Sequence, residues 1–238
     1  MLLLLIPIAS ITVSYEEGTT GYYSAEEIFA EMEYEVGGRL YGDSASEMEE
    51  AILTTFPMFS QVSVKRTLGG KLFLTIAERE CDFYVNVSGT FYALGRDDYR
   101  VLVGTEDRER FTEYGLYEIS LPDVRVAFLG KPLEFGEKGQ ELYLSVLFDG
   151  IDRSAFAERI TGIRAAERYN ISFIIDGKYD VTIGSVSDLD RKLTSLSNMM
   201  NSEVSQVFRS GKDAVVNISD LKAPTARTVE KIDTTIAK

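Results

Sequence analysis

The sequence predicts an α+β fold in which a small strand, helix, helix, strand, strand unit precedes a larger, β-rich unit. The 238 residues are 45% hydrophobic, which supplies material for packed cores in one large domain or two small ones. Apolar residues first recur with the helical period near 3.6, and after Pro57 they recur with the period of 2 that strands require. From Phe83 onward, short strands separated by Gly, Asp and Pro dominate.

Two capped helices are predicted in the first unit. Ser24 and Glu27 have the spacing of a capping box, in which each side chain satisfies a backbone N–H at the start of a helix. A second helix is predicted to begin at Asp43 or Ser44. It ends before Pro57, because proline cannot continue a helix.

Strands complete the first unit and dominate the second. Residues 11–15 are rich in β-branched side chains, and residues 62–76 alternate around the Gly69-Gly70 turn as a hairpin does. The second unit is predicted to contain short strands at residues 83–87, 90–94, 101–103, 124–128 and 142–148.

A hairpin over residues 171–183 is the clearest element of the second unit. A three-residue loop pairs Ile175 with Tyr179, Phe173 with Val181 and Ile171 with Ile183, so that all six side chains share one buried face.

Apolar residues with helical spacing lie on both sides of this hairpin. Phe156, Ile160 and Ile163 predict a helix before it, and a second stripe with its cap at residues 187–190 predicts a helix after it. The second stripe comprises Leu189, Leu193, Leu196 and Met200. A final strand is predicted at residues 214–219, followed by a polar tail that is helical or frayed.

Composition excludes several functional classes. The net charge of −13 repels phosphate backbones, so nucleic acid is not an expected partner. Without histidine, the chain cannot build a Ser-His-Asp or Cys-His nucleophile and lacks the commonest zinc and iron ligand. A single cysteine, Cys81, cannot form an internal disulfide. These observations exclude histidine-dependent catalysis; for the leading hypothesis given below we expect no catalytic residues, no cofactor and no metal.

Apolar residues 2–8 begin a stretch that runs on to Val13 and is shorter than the roughly 20 residues needed to cross a bilayer. A signal peptide requires basic residues before its apolar region, and no Lys or Arg precedes this stretch. We interpret it as the outer end of a membrane segment. The alternative is the buried first strand of a soluble protein.

Three stretches of the chain resemble the FtsQ/DivIB cell-division proteins. Residues 23–28 (Tyr-Ser-Ala-Glu-Glu-Ile) resemble the start of the family's first helix. Residues 56–66, continuing through residues 72–79, resemble its proline, V-x-V-x-R and E-R segment. Val181-Thr182-Ile183-Gly184, Arg191-Lys192-Leu193 and residues 215–219 resemble the family's closing strand, helix and strand. The match is poor over residues 95–160.

The resemblance implies a POTRA domain at residues 11–80 and a mixed, mostly antiparallel β domain with flanking helices at residues 81–225. Residues 1–10 are then the end of an N-terminal membrane segment, and residues 226–238 are a C-terminal tail. It further implies a single-pass cell-membrane protein at the division septum, with most of the chain extracytoplasmic. Such a protein is a non-enzymatic scaffold that binds FtsB/DivIC-like and FtsL-like partners and helps position septal wall synthesis.

In this family the last strand of the β domain adds a strand from a partner. Unpaired main-chain groups of an edge strand support such pairing. The predicted partner-binding residues are Val215, Val216, Asn217, Ile218, Ser219, Asp220, Leu221 and Lys222. The alternative is that residues 215–219 form an interior strand or an edge that binds nothing.

Two other functions stay open at this point. The first is a POTRA-type chaperone module in secretion or outer-membrane assembly, which requires a following barrel. The second is a carboxylate-based cell-wall hydrolase, which requires two carboxylates facing each other in a cleft. Adjacent acidic pairs such as Glu26-Glu27 and Glu49-Glu50 diverge in a helix or strand, so surface solvation explains them better.

Overall fold

A computed structural model describes residues 6–17, 19, 21–32, 34–96, 98–121, 123–135, 140–202 and 206–236. The fold is of the α+β class, and it divides into two compact units. The first unit comprises Met1–Cys81, Leu94–Gly104 and Phe128–Pro132, and the second comprises Asp82–Ala93, Thr105–Ala127 and Leu133–Lys238.

The first unit has the predicted element order. It contains β1 (Ser10–Tyr15), α1 (Ala25–Met32), α2 (Ala45–Thr55), β2 (Phe59–Arg66) and β3 (Lys71–Glu78). The sheet order is β1-β3-β2, with β1 parallel and β2 antiparallel to the central β3.

Local capping and alternation explain why these residues form these elements. The predicted capping box of α1 is present: Glu27 N donates to Ser24 Oγ while Ser24 N donates to Glu27. Of the two residues predicted at the start of α2, Ser44 is the cap, and it also forms a capping box with Glu47. The central strand alternates in burial, and its inward side chains Leu72, Leu74 and Ile76 are at most 1% exposed. Ile28 of α1 and Ile52 of α2 are fully buried as well.

Residues 6–9 lie against the first unit. Ile8 is buried, and its N–H donates to Gly38 O at 2.8 Å, while Leu40 N donates to Ile6 O. Residues 1–5 of the predicted membrane segment lie outside the described residues. Within the described ranges, no helix combines the length and apolar character needed to cross a bilayer.

The strands after Cys81 are β4 (Phe83–Val87), β5 (Thr90–Leu94), β6 (Val101–Thr105), β7 (Tyr117–Ser120), β8 (Val124–Val126), β9 (Glu134–Phe135), β10 (Ile160–Arg164), β11 (Ile171–Ile175), β12 (Tyr179–Gly184), β13 (Ala214–Asn217) and β14 (Thr225–Thr228). The helices are α3 (Arg108–Glu113), α4 (Gln140–Asp152), α5 (Leu189–Asn201) and α6 (Gln206–Arg209).

Strands of the second unit form a large sheet in the order β14-β13-β12-β11-β10-β7-β4-β5. Three of its described pairings are antiparallel (β10–β11, β11–β12, β13–β14) and three are parallel (β7–β10, β12–β13, β4–β7). The sheet is therefore mixed, and these pairs do not support the expectation that it is mostly antiparallel. One face carries apolar side chains of β10 to β13 that are fully buried, among them Phe173, Val181 and Val216.

The strand predicted at residues 142–148 is wrong, because this segment is part of α4. Its buried residues are Tyr143, Leu144, Leu147, Phe148 and Ile151, a set with helical spacing. The alternation of Leu142, Leu144, Val146 and Phe148 suggested a strand, but Leu142 and Val146 are 70% and 48% exposed. Competing periods in one apolar run produced the error.

The helix predicted on Phe156, Ile160 and Ile163 is also wrong. A single 3-10 turn at Ala157–Arg159 leads directly into β10, so Ile160 and Ile163 lie in a strand that pairs with β11 and β7.

The hairpin of β11 and β12 has the predicted loop and most of the predicted register. Ile175 pairs with Tyr179 and Phe173 with Val181. A shift between Ile171 and Ser172 aligns Ile171 with Gly184 instead of Ile183. A bulge of this kind inserts one extra residue into one strand, which a hydrophobic pattern does not reveal.

Candidate partner-binding edge of the large sheet

The predicted pairing strand is paired on both sides within the chain. Ala214 N donates to Lys178 O and Ile218 N to Thr182 O, so alternate amides of this segment are directed at β12. On the opposite side, β13 pairs antiparallel with β14 in an unbroken register from Ala214–Thr228 to Asn217–Thr225. The expectation that residues 215–217 form a free edge is therefore wrong.

The predicted partner-binding residues divide into a core group and a turn group. Val216 and Ile218 are fully buried, and Val215 is half-buried. The turn group begins at Asn217, whose Oδ1 accepts from Ser219 N at 2.9 Å and from Ser219 Oγ at 2.7 Å. The remaining members are Asp220, which accepts from Lys222 N, half-buried Leu221 and exposed Lys222.

The end strand of the large sheet is β14, not β13. Val229 N donates to Asp213 O at 2.9 Å, which continues the β13–β14 register by one residue. Hydrogen-bonded and non-hydrogen-bonded pairs alternate along an antiparallel ladder. The main-chain groups of Arg227 are consequently directed at β13, and those of Ala226 and Thr228 point away from the sheet.

The side chains of β14 are accessible. Thr225, Arg227 and Thr228 are exposed and Ala226 is half-buried. No described strand lies beyond β14 in the sheet order. Along the described part of the chain, β14 thus presents two N–H and two C=O groups of Ala226 and Thr228 at the sheet margin.

The prediction of a frayed tail missed β14 because the strand lacks an apolar pattern of its own. Its four residues, Thr-Ala-Arg-Thr, contain no fully buried side chain. The available sequence signal is weak: β-branched Thr225 directly follows Pro224, and Thr228 lies three residues further on. Within sheets, proline is confined to strand starts, edges and bulges.

A buried lysine holds α5 against the end of β12. Lys192 is 4% exposed, and its ammonium donates to Ile183 O at 2.9 Å and to Ser185 O at 2.8 Å. Burial lowers the pKa of Lys192, and the nearby Asp188 carboxylate opposes that shift. At the same strand end, a Cβ on Gly184 would lie 2.9 Å from Ser219 Cβ, so only glycine fits against the turn after β13.

A surface groove adjoins the turn before β14. A cavity of about 430 Å³ is lined by α5 residues Asp190, Arg191, Thr194, Ser195 and Asn198 together with Leu221. Its lining combines polar side chains of α5 with the half-buried Leu221 of the turn before β14.

Glu118 is the carboxylate that an enzymatic interpretation has to consider. It is 5% exposed, and burial raises its pKa while Arg108 opposes the shift. Its Oε2 lies 3.0 Å from an Arg108 guanidinium nitrogen, and Arg108 Nε donates to the hydroxyl of buried Tyr84 at 2.9 Å. This geometry fits an ion pair that ties α3 to the sheet.

We predict that amide hydrogen exchange alternates along β14. Ala226 and Thr228 amides should exchange at least about tenfold faster than the Arg227 and Val229 amides, because only the latter are bonded to β13. Residue-resolved exchange monitored by NMR measures this. Equal protection at all four amides would contradict the assignment of the free edge.

We also predict that Glu118→Gln changes the pH dependence of stability. Because folding raises the pKa of Glu118 above 4.5, its stabilising contribution is complete below pH 4.5 and is lost as pH rises through the folded pKa. The free energy of unfolding of the parent, measured with urea, should therefore fall more between pH 4.5 and 7 than that of Glu118→Gln. Exposed Glu158→Gln is the control and should retain the parental pH profile.

No protein-family model matches this sequence, and no curated protein matches it either. A function is therefore inferred from the end strand β14, the groove beside it and the family resemblance of the sequence.

Proposed function

We propose that this chain is a non-enzymatic, extracytoplasmic scaffold of the bacterial divisome. Its first unit is a POTRA domain, its second unit is the β domain, and an N-terminal apolar segment anchors it in the cell membrane. An FtsB/DivIC-like partner adds a strand to β14, and an FtsL-like protein joins the complex. The scaffold helps to position septal cell-wall synthesis and needs no cofactor.

The observation that carries this proposal is the outward direction of the main-chain groups of Ala226 and Thr228. A sheet margin with unpaired N–H and C=O groups is a template for an extended peptide from another chain. The role that the family resemblance assigned to residues 215–222 thus passes to β14, one strand further along the sheet.

The element order of the first unit supports the POTRA part of the proposal. Its strand, helix, helix, strand, strand arrangement with sheet order β1-β3-β2 is compatible with the resemblance seen at residues 23–28 and 56–79. The edge at β2 is partly occupied, since Val64 N donates to the Glu49 carboxylate of α2 at 2.8 Å.

Strand addition to β14 needs further contacts to give a stable complex. The two residues offer four main-chain hydrogen bonds, and at about 1 kcal/mol net for each bond the total is about 4 kcal/mol. Such an energy corresponds to a Kd of about 1 mM. In this proposal the flank of the partner strand makes its additional contacts in the groove lined by α5 and Leu221.

Ala226→Pro separates partner pairing from folding. Proline removes the N–H at residue 226, which points away from β13, so the ladder within the chain keeps its bonds. We expect Ala226→Pro to weaken binding of a purified FtsB/DivIC-like partner at least about tenfold, which is about 1.4 kcal/mol. Isothermal titration calorimetry with the full chain measures the affinity, and thermal unfolding reports the fold.

Two variants serve as controls for this experiment. Ala226→Val changes the side chain but keeps the N–H, so it should bind like the parent within about threefold. Val216→Pro removes an amide directed at β12 from a buried strand and should lower stability itself. Parental affinity in a folded Ala226→Pro variant would refute strand addition at β14.

A further inference from the structure

Residues 229–236 form a strap that leaves β14 and crosses the second face of the large sheet. Ile232 and Ile236 are 5% and 6% exposed and pack with Ile174 of β11, and half-buried Val215 and Val229 complete the cluster. The other strap residues, 230, 231 and 233–235, are exposed. The fully inserted side chains of the strap are therefore two branched aliphatic residues four positions apart, and half-buried Val229 packs beside them.

Gly162 leaves a recess in the sheet face for the side chain of Ile236, here called its seat. A Cβ built on Gly162 of β10 would lie 2.5 Å from Ile236 Cδ1 and 3.0 Å from its Cγ1. Any larger residue at position 162 would occupy the volume that Ile236 fills. The sheet face is thus recessed where the strap inserts a side chain, and the recess adjoins a cavity of about 310 Å³ that Arg164 and Ile236 help to line.

The Arg164 side chain binds main-chain carbonyls of the strap. Its Nε donates to Thr235 O at 2.8 Å and another guanidinium nitrogen donates to Asp233 O. The remaining nitrogen is held by Asp180 Oδ1 at 3.1 Å and by Ser172 Oγ at 3.2 Å, so the guanidinium is fixed in position. Donation to two carbonyls two residues apart recognises the main chain of a segment whatever its side chains are.

Asp213 holds the other end of the strap. Its main-chain O accepts from Val229 N, and its Oδ2 accepts from Ile232 N at 3.0 Å. Main-chain recognition at both ends, together with two seats for aliphatic side chains, is the composition of a peptide-binding site.

We infer that this face of the sheet is a peptide-binding groove for an extended segment with branched aliphatic side chains four residues apart, and that the strap is its resident ligand in cis. By occupying the groove, the strap also ties down the end of β14, a strand without fully buried side chains of its own. The inference goes beyond the proposed strand addition and stands whether or not a partner pairs with β14.

The groove can be opened and then filled in trans. In the full chain, Ile232→Asp with Ile236→Asp should release the strap, because carboxylates do not fit the aliphatic seats. A fluorescein-labelled peptide with the sequence of residues 229–236 should bind this open variant at least about tenfold more tightly than the parent, measured by fluorescence polarisation. In the parent, the tethered strap competes at an effective concentration in the millimolar range.

Two controls test the specificity of the groove. Adding Gly162→Val to the open variant should abolish peptide binding, and a peptide with both isoleucines replaced by aspartate should not bind the open variant. Ile232→Val with Ile236→Val should keep the strap seated and bind peptide no better than the parent. Absence of peptide binding to an open variant that keeps exchange protection in β11 and β12 would overturn the inference.

A second experiment tests the inference if the open variant, Ile232→Asp with Ile236→Asp, does not fold. Gly162→Val alone, in the full chain, should expel Ile236 and accelerate amide exchange at Ile232 and Arg227 at least about tenfold, while β11 and β12 keep parental protection. Unchanged exchange at Ile232 in this variant would also overturn the inference.

Discussion

The pairing of β13 on both of its sides determines how the second unit can meet another molecule. Alternate amides of β13 are bonded to β12, and the intervening residues pair with β14. Every backbone donor and acceptor of a buried strand needs a partner. Because those of β13 are used within its own sheet, β13 cannot also pair with a second chain. The free edge of the large sheet is therefore not β13 but β14, whose four residues are exposed or half-buried.

Local signals in the sequence predicted the elements whose formation depends on neighbouring residues. The capping box at Ser24 and the helix cap at Ser44 act over three residues, and the loop of the hairpin at residues 176–178 follows from alternation on its two flanks. Each of these predictions holds in the structure. The alternation that also suggested a strand at residues 142–148 failed, because the same run of apolar residues satisfies a helical period.

Partners distant in sequence account for the features that the sequence alone did not predict. Gly162 leaves room for Ile236, which lies 74 residues further along the chain. Likewise, β14 exists because β13 pairs with it, since its own residues show no buried face. Edge strands and straps of this kind are defined by what they lie against, which a hydrophobic pattern does not encode.

Charged side chains join the parts of the second unit that apolar packing leaves separate. Lys192 satisfies two carbonyls at the end of β12, and Arg164 satisfies two carbonyls of the strap. Hydrogen bonds to a charged donor contribute about 1.5–3 kcal/mol, roughly twice the value of neutral ones, and a carbonyl left without its donor costs about 1–3 kcal/mol. These residues therefore stabilise particular chain crossings and make them specific.

An exposed edge strand invites aggregation, and the surroundings of β14 limit that risk. The strand has only four residues, it carries the charged side chain of Arg227, and Val229 turns the chain onto the sheet face directly after it. A long strand from an unrelated chain can form few main-chain hydrogen bonds with β14, because the strand ends after four residues and the strap then leaves the sheet edge. We therefore expect β14 to pair with a short segment that brings its own contacts to the neighbouring surface, as the proposed scaffold function requires.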